Sequence, residues 1–157
     1  MTGIRQYSSV SDELLDTIAA LDRAIFPEPV SREVFARALH ARHNLCILIA
    51  ERGTSPAGYK IGYEFSPDVF YSFSGGVVPE YRHQGIARAL LGEQHRIARE
   101  LGYPVVRTHT KNKYRDMLIL NIKSGFDVTG VNHKSGDKFH TIILEKVLAK
   151  ANSEATA

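Results

Sequence analysis

Residues Val77-Val78-Pro79-Glu80-Tyr81-Arg82-His83-Gln84-Gly85-Ile86-Ala87-Arg88-Ala89-Leu90-Leu91 constrain the fold more than any other stretch of the chain. Two valines before a proline read as the end of a strand. Ile86, Leu90, Ile97 and Leu101 then recur at helical spacing until Gly102 stops them. The loop between holds Arg82-x-x-Gly85-x-Ala87. A loop that feeds a strand into a helix turns the first-turn amides outward. Those N–H groups lack an intrahelical partner and carry the positive end of the helix dipole. A phosphate or diphosphate is held there without a metal. Gly85 lets the backbone come close, Ala87 keeps the next turn small, and Arg82 and Arg88 add cations. A plain strand-to-helix turn that needs a glycine explains the same residues, and on the loop alone the two readings stand level. The pattern is not a Gly-x-x-x-x-Gly-Lys-[Ser/Thr] loop, and one glycine does not make a dinucleotide fingerprint.

The rest of the chain supplies a sequence of elements. Gly3 to Tyr7 reads as a strand. Ser11, followed by Asp12 and Glu13, caps a helix whose stripe is Leu14, Ile18, Leu21 and Ile25. Phe26-Pro27-Glu28-Pro29 breaks it. Ser31 caps a second helix with Val34, Phe35, Ala38 and Leu39 inward. Asn44 to Glu51, Ala57 to Phe65 and Phe70 to Val78 read as an antiparallel meander, with turns at Gly53-Thr54-Ser55-Pro56 and Ser66-Pro67-Asp68. After the helix from Ile86, Val105 to Thr110 is a strand, and the crossover implies a parallel pair. Tyr114 to Lys123, with Met117-Leu118-Ile119-Leu120, fits either a buried strand or a buried helix. Phe126 to Asn132 and Phe139 to Glu145 read as a hairpin around Ser135-Gly136-Asp137. Ala149 to Ala157 reads as a frayed tail.

At 157 residues the chain suits one domain. No run approaches the roughly 20 apolar residues of a membrane span, and no leader is visible. The single cysteine, Cys46, excludes an intramolecular disulfide, fits a cytoplasmic setting, and reads as a core thiol in Leu45-Cys46-Ile47-Leu48-Ile49-Ala50. Net charge is +3 with a pI near 9.0. That favours an anionic ligand, but the dispersed Lys and Arg do not form a nucleic-acid footprint. His40-x-x-His43 has no third ligand nearby, so no metal site is expected. His95, His109, His133 and His140 form no readable cluster, and His83 suits phosphate or solvent.

Together, the Val77-to-Ala87 loop and the run Asn112-x-x-x-x-Met117-x-x-Leu120-Asn121-x-Lys123-x-Gly125-Phe126 resemble two motifs of the GNAT superfamily, the acyl-coenzyme A-dependent N-acyltransferases. The order of elements agrees over nearly the whole chain. The resemblance implies an α/β, α+β-like fold: a mixed central sheet of about seven strands with about four helices, splayed between the fourth and fifth strands. It makes Tyr114 to Lys123 a helix. It implies one acyltransferase domain over 1–148 with a flexible tail at 149–157. The expected activity is transfer of an acetyl group from acetyl-coenzyme A to a primary amine by direct attack in a ternary complex. A non-catalytic acyl-coenzyme A sensor on the same fold is the alternative. The acceptor would be a small-molecule amine or a peptide or protein amine, with no nucleic acid and no membrane; a homodimer is compatible.

The resemblance also assigns residues. Arg82, His83, Gln84, Gly85, Ile86, Ala87 and Arg88 would surround the diphosphate. Val77 and Val78 would pair with the pantetheine arm as an added strand does, in the splay, with Asn112 on its other side. Gly75-Gly76 suggests a bulge or a close backbone approach, from which an N–H could serve the oxyanion. Many members carry a tyrosine near the leaving sulfur; here Asn121 stands in that place, able to hydrogen-bond the cofactor but not to supply such a proton. Tyr114 is a distant substitute. The amine must attack in its neutral form and then lose a proton. Glu64 is the nearest candidate base, beside a water-mediated route with no dedicated base. Phe26, Glu28, Phe65, Tyr71 and Phe73 fall in segments that line the acceptor cleft of such enzymes.

Overall fold

The structure is a computed structural model and describes residues 2–133, 135–136 and 140–149. Its elements are β1 (Thr2–Tyr7), α1 (Asp12–Ile25), α2 (Arg32–Leu39), β2 (Cys46–Arg52), β3 (Ser55–Ser66), β4 (Val69–Val77), α3 (Ile86–Glu100), β5 (Val105–Lys111), α4 (Arg115–Lys123), β6 (Asp127–Asn132) and β7 (Thr141–Val147). A short 3₁₀ turn, Pro79–Tyr81, lies between β4 and α3. Both expected caps form. Ser11 Oγ accepts the Leu14 amide at 3.1 Å, and Ser31 Oγ accepts the Val34 amide at 3.3 Å. Each satisfies one of the orphan donors of a helix start.

Helices α3 and α4 end in the same way. The Phe126 amide reaches back to the Asn121 carbonyl and the Gly125 amide to the Ile122 carbonyl, with Gly125 at φ +96°. That is the Schellman exit, in which a left-handed residue just past the helix lets two orphan carbonyls be satisfied. It also carries Phe126 into the core. Tyr103 and Gly102 bond the Ala98 and Arg99 carbonyls in the same pattern. This corrects the expected apolar stripe of α3. Leu101 falls in the exit turn and is exposed, whereas Tyr103 is buried. Similarly, Phe35 and Leu39 are the buried residues of α2 and Val34 faces out. Helix α4 is a helix, but a half-exposed one, with Ile119 open to solvent.

Seven strands form one sheet in the order β1-β2-β3-β4-β5-β7-β6. The β4–β5 pair is parallel and the other described pairings are antiparallel. This is the mixed seven-stranded sheet with four helices that the sequence implied. The β4–β5 ladder runs from Val69↔Val105 to Ser72↔Thr108, although β4 continues to Val77 and β5 to Lys111. The β2–β3 turn is shorter than expected. Ser55 pairs with Arg52 and Pro56 with Glu51, leaving Gly53-Thr54 as the connection. Pro56 is tolerated there because the register shifts at Ala50/Glu51, where a missing N–H costs little. The expected β6–β7 turn at Ser135-Gly136-Asp137, and the strand start at Phe139, fall partly outside the described residues, as does the tail beyond Ala149.

The chain divides into two compact units. The first comprises Met1–Glu64 and Ser74–Gln94. Strand β2 is buried from Cys46 to Ala50 without alternation, so both faces of the sheet are covered there. Ile18, Phe35, Leu39, Ile47, Leu48, Tyr59 and Ile61 fill this core, with Phe35 edge-on to Tyr59. The second unit comprises Phe65–Phe73 and His95–Ala157. Its strands β5 and β7 alternate, burying Val106, Thr108, Thr110, Ile142 and Leu144. Phe70 packs on Tyr103 and His95 on Phe126.

Candidate functional site

The loop after β4 is built by backbone demands. Pro79 opens the 3₁₀ turn, the Tyr81 amide bonds the Val78 carbonyl, and the Arg82 amide bonds the Pro79 carbonyl. His83 (φ +60°) and Gly85 (φ +81°) then take left-handed conformations. Alternating hands curl successive amides toward one side, the geometry of an anion nest. The Ala89 amide bonds the Gly85 carbonyl, so the amides of Gly85, Ile86, Ala87 and Arg88 precede the first helical bond of α3. Gln84 and Gly85 are exposed, and a Cβ on Gly85 would meet open space. Glycine is needed here for its φ, not for room. Ile86 is buried, so its side chain belongs to the core and only its amide is offered. N–H groups ahead of the first helical bond at a helix start fit a diphosphate.

Arg82 behaves differently from a simple phosphate cation. Its Nε donates to the Val77 carbonyl at 3.0 Å, and a terminal nitrogen donates to the Ile25 carbonyl at 3.3 Å. It ties the end of β4 to the last residue of α1, where a cation also suits the negative end of the helix dipole. Val78 gives its amide to Ala57 and its carbonyl to Tyr81. Because main-chain groups alternate along a strand, the Val77 amide and carbonyl point away from β3. With the carbonyl held by Arg82, the Val77 amide is the group left for an added strand. Gly75 shares that orientation. A Cβ on Gly75 would come within 2.9 Å of the Tyr59 carbonyl, and one on Gly76 within 2.8 Å of Ile25. Gly75 thus marks the close backbone approach that was one of the two meanings the sequence left open, whereas Gly76 makes room for the Ile25 side chain.

The first unit also holds a polar network on the α1–β3–β4 side of this loop. Asp22, 1% exposed, accepts the Tyr59 hydroxyl at 2.6 Å and the Val30 amide at 2.6 Å. Ser74 Oγ lies 2.8 Å from the same hydroxyl. Burial, then Asp22, push the Tyr59 phenol pKa up, so it remains a donor to the carboxylate. The network fixes the α1–α2 loop that carries Phe26 and Glu28. Sequence reading missed it, although an acid four residues after Ile18 on an apolar stripe was its signal. Lys60 is also buried, and burial pushes its ammonium down to about 8. Glu64 is half-buried near the end of β3, and its amide donates to the His43 carbonyl.

In the second unit, Asn112 is exposed in the turn after β5, and Tyr114 precedes α4. Asn121 is buried at 2% exposure. Phe65, Tyr71 and Phe73 meet, with ring centroids 5.9 Å and 6.2 Å apart for Tyr71 with Phe65 and with Phe73. Arg107 lies over the Phe65 ring at 4.5 Å and pairs with Glu145 at 3.6 Å. His109 joins them: its ring centroid is 5.0 Å from that of Tyr71, and its Nδ1 is 3.3 Å from the Tyr71 hydroxyl. Its Nε2 is buried without a hydrogen-bond partner among the described residues. Burial, then Arg107, hold the His109 pKa below the ordinary histidine value. Of the histidines read as forming no cluster, His109 meets Tyr71, and His133 and His140 lie as one pair at 2.8 Å. Among the described residues, no group of three or more His, Cys, Asp or Glu could hold a metal, and no helix is long and apolar enough to cross a membrane.

A family model described as the acetyltransferase (GNAT) family matches residues 15–117. Three solved structures are similar over nearly their whole lengths. The ribosomal-protein-S18-alanine N-acetyltransferase from Escherichia coli superposes with a TM-score of 0.82 at 19% identity, covering 98% of this chain and 97% of that one. Ard1 from Thermoplasma volcanium gives 0.79 at 16% identity, with 95% and 99% covered. A GNAT family acetyltransferase from Elizabethkingia anophelis with acetyl-CoA bound gives 0.72 at 18% identity, with 94% and 98% covered. No curated protein matches the sequence.

Proposed function

The chain belongs to the acetyltransferase (GNAT) family, and from that premise we propose that it transfers an acetyl group from acetyl-coenzyme A to a primary amine by direct attack in a ternary complex. The observation that carries this reading is the start of α3. There, the amides of Gly85 to Arg88 precede the first helical bond, behind left-handed His83 and Gly85. The donor's diphosphate would take those amides, with Gln84 and Arg88 beside them. The Val77 amide would meet the pantetheine arm, and Val78 would hold the strand end in place through Ala57. Asn112 and Asn121 stand as further coenzyme contacts on the resemblance alone. Residues 1–148 would act as one acyltransferase domain.

The acetyl donor is a thioester substrate, and the fold supplies position and a polarised carbonyl. Acceptors to test are free amino acids, diamines, a lysyl peptide and a peptide with an N-terminal alanine. The last is included because one structural neighbour is a ribosomal-protein-S18-alanine N-acetyltransferase. Purified protein should release free coenzyme A thiol from acetyl-coenzyme A when one of these amines is added. Tight acetyl-coenzyme A binding with no release across the panel would instead identify a sensor. Absence of binding would overturn both.

A further inference from the structure

Building on the transferase reading, we infer that Tyr71 and His109 form the proton-accepting relay of the reaction. Tyr71 would meet the acceptor amine, and His109 would draw the proton through it. Three observations converge. His109 is the first residue of β5 beyond the end of the parallel ladder, directly after the Ser72↔Thr108 pair. Parallel register puts Tyr71, Phe73, Arg107 and His109 on one face, because Tyr71 pairs with Arg107. Finally, Nδ1 is 3.3 Å from the Tyr71 hydroxyl while Nε2 is buried without a partner among the described residues. The ring's polar connection therefore runs through Tyr71.

The step balances as an ordinary aminolysis. The amine nitrogen forms its bond to the thioester carbon. Tyr71 Oη takes the proton that the nitrogen sheds and passes its own to Nδ1. The tetrahedral oxyanion collapses, the C–S bond breaks, and sulfur leaves with the electron pair. The proton on His109 returns through Tyr71 to the thiolate or to solvent. The tautomer required carries its hydrogen on Nε2, leaving Nδ1 to accept. The groups facing His109 are Tyr71 from β4, Arg107 on its own strand, and Glu145 of β7 through its ion pair with Arg107. Its antiparallel partner on β7 is the apolar Ile143. Burial and Arg107 both favour the neutral ring, so the base is ready at neutral pH and is lost on acidification.

The test is the pH–rate profile of the intact protein with the acceptor found active, for wild type, His109→Gln, Tyr71→Phe and Glu64→Gln. Tyr71→Phe retains the ring packing and removes only the hydroxyl. Wild type should lose kcat on the acid side, with a midpoint below the ordinary histidine value of about 6.5. His109→Gln should lower kcat at neutral pH roughly a hundredfold and abolish that acid limb. Tyr71→Phe should lower kcat in the same direction, and acetyl-coenzyme A affinity should hold within about twofold in both. An acid limb that survives in His109→Gln, or disappears in Glu64→Gln instead, overturns the relay. A wild type that turns over no amine overturns the transferase reading and the relay together. An active wild type with an unchanged His109→Gln profile overturns the relay alone.

Discussion

The loop between β4 and α3 and the Tyr71–His109 face are made in opposite ways. The loop is a local object: all its amides come from residues 82–88, and its shape follows from the conformations of His83 and Gly85. The face is assembled by register, from a tyrosine on β4 and a histidine on β5 that lie 38 positions apart. Side chains do little in the first and everything in the second. A backbone site tolerates side-chain change but not a change of φ or of charge at its mouth. A side-chain site is lost with one functional group while the backbone stays as it was.

The largest expected effect tests the loop half of this contrast. Gly85→Glu forces a side chain onto a φ of +81° and sets a carboxylate among the free amides. Acetyl-coenzyme A affinity should fall at least a hundredfold, about 2.7 kcal/mol. The fold should survive, because nothing lies within 4 Å of the added Cβ. Affinity retained within tenfold by titration calorimetry would remove the diphosphate from this loop.

A smaller effect is expected at Arg82, where the two halves of the contrast meet. Its guanidinium is spent on the Val77 and Ile25 carbonyls, so it holds the loop in place more than it neutralises a ligand. Arg82→Ala should lower stability by about 1–2 kcal/mol in urea unfolding. It should weaken acetyl-coenzyme A roughly five- to tenfold through misplacement of the amides. Arg82→Lys is the sharper variant, since lysine keeps the charge but not the fork that reaches two carbonyls. If Lys restores affinity, Arg82 acts as a cation and the loop is less purely a backbone device than its geometry implies.

The same contrast explains what the sequence disclosed. Positions where the backbone needs one residue type leave a mark at fixed spacing: Ser11 and Ser31 at caps, Gly102 and Gly125 at helix exits, Gly85 in the loop. The element order followed from those marks and from apolar periodicity, except at Tyr114 to Lys123, which only the family resemblance made a helix. Burial was less legible where an exit turn intervened, as at Leu101, because the periodic stripe continues on paper after the helix has ended. Side-chain partnerships across strands were least legible. Alternation places Arg107 and His109 on one face, but only the parallel register tells which residues of β4 share it. Asp22 lies between these cases, visible as a misplaced acid on a stripe while its partner Tyr59 was not.

The smallest expected effect concerns His83, which the sequence suggested as a phosphate contact. In the structure it is exposed and left-handed at φ +60°. Such a conformation costs a non-glycine residue about 1–2 kcal/mol, which glycine would relieve, while glycine's extra unfolded-state freedom costs about 0.5–1 kcal/mol. The two nearly cancel, so His83→Gly should shift stability by less than about 1 kcal/mol. If the amides alone hold the diphosphate, acetyl-coenzyme A affinity should stay within about twofold of wild type. If instead the imidazole contacts phosphate, His83→Gly should bind acetyl-coenzyme A clearly more weakly than wild type. That result would make the loop a mixed site and place its chemistry, in part, with the side chains.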